Sequence, residues 1–153
     1  MKRTVSYFFA VFCALILMTS CDHSITPDSI TGTYRGTMDI KLNISGVEFT
    51  DVEVPSHVDV TKVDDAYVNV AIDLDLAKYI DSSWATLVGS NLDFGVITAK
   101  CLVGPTIDGE APLTGTAKVG DTTFPIVGEC EGSTLDLTLT IGIVTVEFEG
   151  IKR

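Results

Sequence analysis

Four cysteines and two histidines are the residues of this chain with the most chemistry to offer. A cysteine can carry a lipid, bond to a second cysteine, ligate a metal or attack an electrophile. His57 lies close in sequence to Asp51, Glu53 and Asp59, an imidazole and carboxylates of the kind that hold a divalent cation. Those four polar residues alternate with Val52, Val54, Val58 and Val60, however, which puts them on the wet face of a strand, where charges are solvated rather than ligating. No metal is therefore expected. His23 stands in a short polar stretch with no partner residues at ligand spacing. The chain holds no HExxH, GxSxG, phosphate-binding loop or dinucleotide fingerprint, and His57 has no nucleophile at a supporting spacing. Carboxylates are numerous enough for a paired-acid glycosidase, but no acid pair stands beside the aromatic cluster that a sugar platform requires. No catalytic residue and no cofactor are expected, and the protein reads as a non-enzyme.

Cys21 has the clearest context. Lys2 and Arg3 open the chain, an apolar run follows from Val5 to Met18, and Leu17-Met18-Thr19-Ser20 lead into Cys21. The run is shorter than the roughly 20 residues that a bilayer-spanning helix needs, and no apolar run restarts after Cys21. Residues 1–20 are thus expected to be a signal peptide, and Cys21 the lipidated first residue of a bacterial lipoprotein. Met18 replaces the usual leucine of that motif, and a simple cleaved signal is the alternative. Residues 21–30 follow as lipidated N-terminus and polar tether, and 31–153 as one domain. The expected location is the bacterial cell envelope, on the periplasmic or surface face of the outer membrane.

Twenty-one acids against ten bases give a net charge of −11. Nucleic acid is an unsuitable partner for such a chain, because phosphate binding needs clustered Lys and Arg. At 46% hydrophobic and 20% charged, the chain is expected to fold. From Thr31 onward the apolar period is two. Tyr34, Met38, Ile40, Leu42 and Ile44 share one face, and the same alternation recurs over Val52 to Val60, Val68 to Leu74, Leu135 to Ile141 and Val144 to Phe148. Further strands are expected over Leu92 to Val103, Ala111 to Val119 and Thr122 to Cys130, the last two joined at Gly120-Asp121. About eight antiparallel strands result, with Pro55 expected to break or bulge the second. They would close a sandwich or a barrel, and periodicity alone leaves both open. An outer-membrane barrel is not expected, since no paired aromatic girdles are present.

One stretch has a different period. Leu76, Tyr79, Ile80, Trp84, Leu87 and Val88 form one stripe at helical spacing, with Asp75 placed to cap its start and Gly89 its end. A short helix at about 75–88, laid across a barrel mouth, is the expectation, with two short strands around Asp81 to Ser83 as the alternative. Tyr79 and Trp84 are then candidates for ligand contact or for simple core packing.

The chain resembles a known family at both ends of its domain. Ile30-Thr31-Gly32-Thr33-Tyr34-Arg35-Gly36-Thr37-Met38 resembles the Gly-x-Tyr-x-Gly first strand of the calycin-like, lipocalin-related lipoproteins of Bacteroidetes. Leu113-Thr114-Gly115-Thr116-Ala117, Gly128-Glu129-Cys130-Glu131-Gly132 and Val144-Thr145-Val146-Glu147-Phe148-Glu149-Gly150 resemble its later strands. The resemblance implies an all-β, eight-stranded, up-and-down antiparallel barrel. It further implies that Tyr34 meets Lys152 or Arg153 where the barrel closes, as a ring beneath a cation. The family carries no activity to transfer; its lipocalin relatives hold small hydrophobic molecules inside the barrel.

With Cys13 in the signal and Cys21 lipidated, Cys101 and Cys130 remain as a candidate disulfide of an exported domain. In up-and-down order both fall at one rim, but a strand lies between them, and strands are about 4.8 Å apart, so the bridge requires the rim to curve inward. The expected function is that of a lipid-anchored extracytoplasmic binding protein, its partner beyond the membrane being either a small hydrophobic ligand in the barrel or an envelope protein. The alternative is a solid-cored barrel that works as an interaction or inhibitor-like module through its loops.

Overall fold

The computed structural model describes residues 24–44, 47–75 and 93–153. Among them a one-turn helix, α1 (Pro27–Ile30), precedes eight strands: β1 (Gly32–Ile44), β2 (Val47–Lys62), β3 (Tyr67–Asp75), β4 (Asp93–Val103), β5 (Glu110–Val119), β6 (Thr122–Glu131), β7 (Thr134–Ile141) and β8 (Val144–Lys152). Each strand pairs antiparallel with the next, and β8 returns to β1, so the sheet is a closed up-and-down barrel of calycin-like architecture. The predicted segment at about 75–88, with Tyr79 and Trp84, lies outside the described residues, except that Asp75 ends β3 opposite Asp93. The signal segment and Cys21 also lie outside them.

The period of two becomes an inside and an outside. Tyr34, Met38, Ile40 and Leu42 from β1, Val58 and Val60 from β2, Leu135, Leu137 and Leu139 from β7, and Val144, Val146 and Phe148 from β8 all point inward and are buried. Along β7 and β8 the intervening residues are half-buried or exposed. Three two-residue hairpins, Gly120-Asp121, Gly132-Ser133 and Gly142-Ile143, begin with a glycine at φ of 59°, 56° and 60°, the backbone region that side chains other than glycine rarely enter.

Pro55 neither breaks nor bulges β2, which pairs with β1 through Thr37↔Pro55 without a shift; the irregularity falls at Lys41/Asn43 instead. The described β3 ladder covers only Val58 to Lys62, so Pro55 lies beyond it. Pro112 and Pro125 are placed alike, one residue past the β4 and β7 ladders. A residue without an N–H is tolerated where one neighbouring ladder has ended.

Closure depends on Gly36 facing Gly150 across β1 and β8. A Cβ at Gly36 would stand 1.8 Å from the Glu149 carbonyl oxygen, and one at Gly150 would meet the Phe148 ring at 2.4 Å. The second glycine of the Gly-x-Tyr-x-Gly strand is therefore a contact surface between the first and last strands.

Candidate functional site

Two regions gather polar side chains: the barrel floor beneath α1, and the outer wall of β6, β7, β8 and β1. The floor is built from residues that the sequence presented as tether. Thr26 caps α1: Ser29 N donates to Thr26 Oγ1 at 3.4 Å, Thr26 N donates to Ser29 Oγ at 2.9 Å, and Pro27 takes the first helical position, where its missing N–H costs nothing. Pro27 and Ile30 are buried. Residues 25–30 are thus folded onto the barrel, not a free polar tether.

Four groups satisfy the carbonyl oxygens and acid of this short helix. Thr31 Oγ1 donates to Pro27 O at 2.8 Å, Lys152 Nζ to Ser29 O at 2.8 Å, and Tyr34 Oη to Ile30 O at 2.9 Å. Lys62 Nζ holds Asp28 at 2.7 Å and Asp65 at 3.1 Å. Upstream, Ile25 N donates to Thr106 Oγ1 at 2.7 Å, in the connection between β4 and β5. A helix end left without partners would be costly to bury; here hydroxyls and an ammonium take the places of the next helical turn.

Tyr34 does stand opposite Lys152 in the β1–β8 register, as expected of barrel closure. The ring-and-cation contact is not what joins them. The Lys152 stem crosses Gly32 and its ammonium goes to the helix carbonyl, while Tyr34 is fully buried. Arg153 contributes only its backbone, donating N–H to Thr33 O at 3.1 Å. The ring beneath a cation in the described residues is Tyr67 under Lys100, at 4.3 Å.

The Cys101–Cys130 disulfide is absent: both thiols are free and buried. Register supplies the reason. Cys101 stands opposite Gly115 of β5, whereas Cys130 stands opposite Ala111 of the same strand. The two cysteines are therefore displaced by four residues along β5, about 13 Å, and by two strand spacings across it. No disulfide spans that. Burial raises the Cys101 thiol to about 11. Cys130 rises to about 12, chiefly through burial and then Asp136, with Lys152 and the neighbouring Tyr34 hydroxyl opposing. Burial, and next the neighbouring Cys130, also raises Tyr34. At neutral pH these groups are protonated and poor nucleophiles.

The outer wall has the opposite character. Thr37, Glu149, Asp136 and Glu129 stand in one row across four strands, and Asp39, Glu147, Thr138 and Val127 in the next. They line an open groove of about 450 Å³. Lys41 Nζ meets Glu147 Oε2 at 2.7 Å. Partial burial, then Glu149, Glu129 and Glu131, raise the Asp136 carboxyl above its ordinary value. His57 lies elsewhere, on β2 opposite Arg35, with Glu53 opposite Asp39 and Asp59 accepting a hydrogen bond from Thr33. Among the described residues no three His, Cys, Asp or Glu side chains are grouped to hold a metal ion.

Sequence reading missed the floor and the acidic row. Thr26-Pro27-Asp28-Ser29 carried a usable signal for the floor, a capping residue followed by a first-turn proline and acid, flanked by Ile25 and Ile30. The row had none, because it exists only once three registers are fixed. No protein-family model matches this chain, and no curated protein is detectably similar to it.

Proposed function

We propose that this protein is a lipid-anchored, non-enzymatic interaction module of the bacterial cell envelope, a relative of the calycin-like lipoproteins, that meets a protein or glycan partner through its outer surface and loops. One observation favours this over carriage of a small molecule inside the barrel. Among the described residues the inward side chains from Tyr34 to Phe148 are buried in one apolar cluster, which supports a filled interior. An eight-stranded barrel is just narrow enough for side chains to fill it. The acidic wall adds selectivity, since polyanions are repelled from a surface of this sign. The anchor rests on Lys2, Arg3, the apolar run and Cys21.

Two measurements test the reading. Native mass spectrometry of the domain prepared from its host's envelope is expected to give the bare polypeptide mass; a discrete apolar adduct, lost on Trp84→Ala, would make it a carrier instead. Cys21→Ser is expected to abolish both membrane association and the added mass of the acyl chains. Retention of both would remove the anchor.

A further inference from the structure

The anchor reading fixes where a lipid would attach, and the floor fixes the chain a few residues later. From Ile25 onward the backbone is held to the barrel: Ile25 N on Thr106, Ile25 packed against the core, Pro27 and Ile30 buried, and the end of α1 held by Tyr34 and Lys152. Four residue steps separate Ile25 from Cys21, an extended reach of about 14 Å. The strands of β8 length, tilted as in eight-stranded barrels, stand roughly 20–25 Å high. The tether is therefore shorter than the barrel, and it leaves from one corner of the floor, beside the β4–β5 connection.

Exposed apolar side chains occur at several places on the barrel, Val96, Val127 and Ile151 among them, and three stand at that corner. Ile107 (65% exposed), Val63 (42%) and Leu102 (39%) are exposed apolar side chains at the floor end of the β2–β4 side. Val63 and Leu102 both neighbour Tyr67: Val63 N donates to Tyr67 O, and Leu102 pairs with Tyr67 across β3 and β4. The acidic wall lies on the other side of the barrel, because β6, β7, β8 and β1 follow one another around the sheet away from β3 and β4. Asp64, Asp65 and Asp108 share the tether corner, so attraction to anionic headgroups does not hold it down.

The geometry points to this corner of the plugged floor, with Val63, Leu102 and Ile107, as the surface of the barrel that lies against the lipid bilayer, and to the acidic wall as the face turned away from it. The inference rests on the anchor at Cys21. The membrane surface is met through the short tether and apolar side chains, and the wall is left free for a partner in the aqueous space.

Single cysteines at Glu110 (floor, tether side), Asp121 (opposite rim) and Glu149 (acidic wall) test it in the full lipidated chain, reconstituted in phosphatidylcholine vesicles that contain a headgroup-spin-labelled lipid. The buried Cys101 and Cys130 stay unlabelled in native protein. A fluorophore at Glu110→Cys is expected to be quenched several-fold more than one at Asp121→Cys or Glu149→Cys, equally at low and high salt. Insertion of about twelve Gly and Ser residues between His23 and Ser24 is expected to erase the difference by lengthening the tether. Equal quenching at the three sites, or strongest quenching at Glu149→Cys, would overturn the orientation. Flotation of Cys21→Ser protein with the same vesicles separates the two ideas. If that variant stays in solution while the three labels are quenched alike, the orientation alone falls; if it floats, the anchor falls with it.

Discussion

At the floor of this barrel, three helix carbonyls meet a tyrosine hydroxyl, a threonine hydroxyl and a lysine ammonium; on its wall, Glu149, Asp136 and Glu129 stand side by side on adjacent strands. Both regions are polar, and both are positioned by the same registers. They differ in what they ask of solvent. The floor supplies its own partners, from the buried Tyr34 hydroxyl to the exposed Lys152 ammonium, so each of its bonds is sensitive to the loss of one atom. The wall relies on water and salt to keep like charges apart, which costs folding free energy but leaves a mainly acidic surface, relieved at Glu147 by Lys41. The contrast indicates which residues serve the fold and which are open to a partner.

Removing the centre of the floor should produce the largest loss. Tyr34→Ala empties a buried aromatic site and frees the Ile30 carbonyl, and is expected to lower unfolding free energy in urea by about 3–5 kcal/mol. Cys130 should then become open to alkylation in native buffer, whereas in the unaltered protein both thiols react only after unfolding. Next in size is Gly36→Ala, whose methyl group meets the Glu149 carbonyl; a loss of about 1–3 kcal/mol is expected by the same assay. Lys152→Met keeps the stem across Gly32 but withdraws the ammonium from Ser29 O, and should cost about 1 kcal/mol.

The smallest effect should have the opposite sign. Asp136→Asn relieves repulsion in the acidic row and is expected to raise stability at pH 7 by a few tenths to about 1 kcal/mol. The pH dependence follows from the raised carboxyl. Asp136 binds its proton more tightly in the folded than in the unfolded chain, so its contribution is fully present in acid and is lost as pH rises through the folded value. A urea series from acid to neutral pH should show this fall in the parent protein and a flatter profile in Asp136→Asn. A stabilisation from Tyr34→Ala, or a loss from Asp136→Asn as large as that from Lys152→Met, would erase the distinction between floor and wall.

The strands were legible because each buries one face, and a period of two survives any register: Leu135, Leu137 and Leu139 would point together in a sandwich or in a barrel. What depends on register was not legible. Cys101 and Cys130 share a barrel and a rim order, yet four residues of β5 separate their levels. Tyr34 and Lys152 did fall opposite each other, since the first and last strands of a closed sheet must meet, but the direction of the lysine head depended on α1, which the reading as a tether had left out. The acidic residues could each be assigned to a wet face; that three of them adjoin could not be.

The ladder between β1 and β8 joins Tyr34 to Lys152, residues from the two ends of the domain. Until β8 is available, Gly36 has nothing to pack against and the sheet keeps two open edges. Contacts this distant along the chain are also slow to form. Closure thus waits on the pairing of the first strand with the eighth, and until then the barrel is an open sheet.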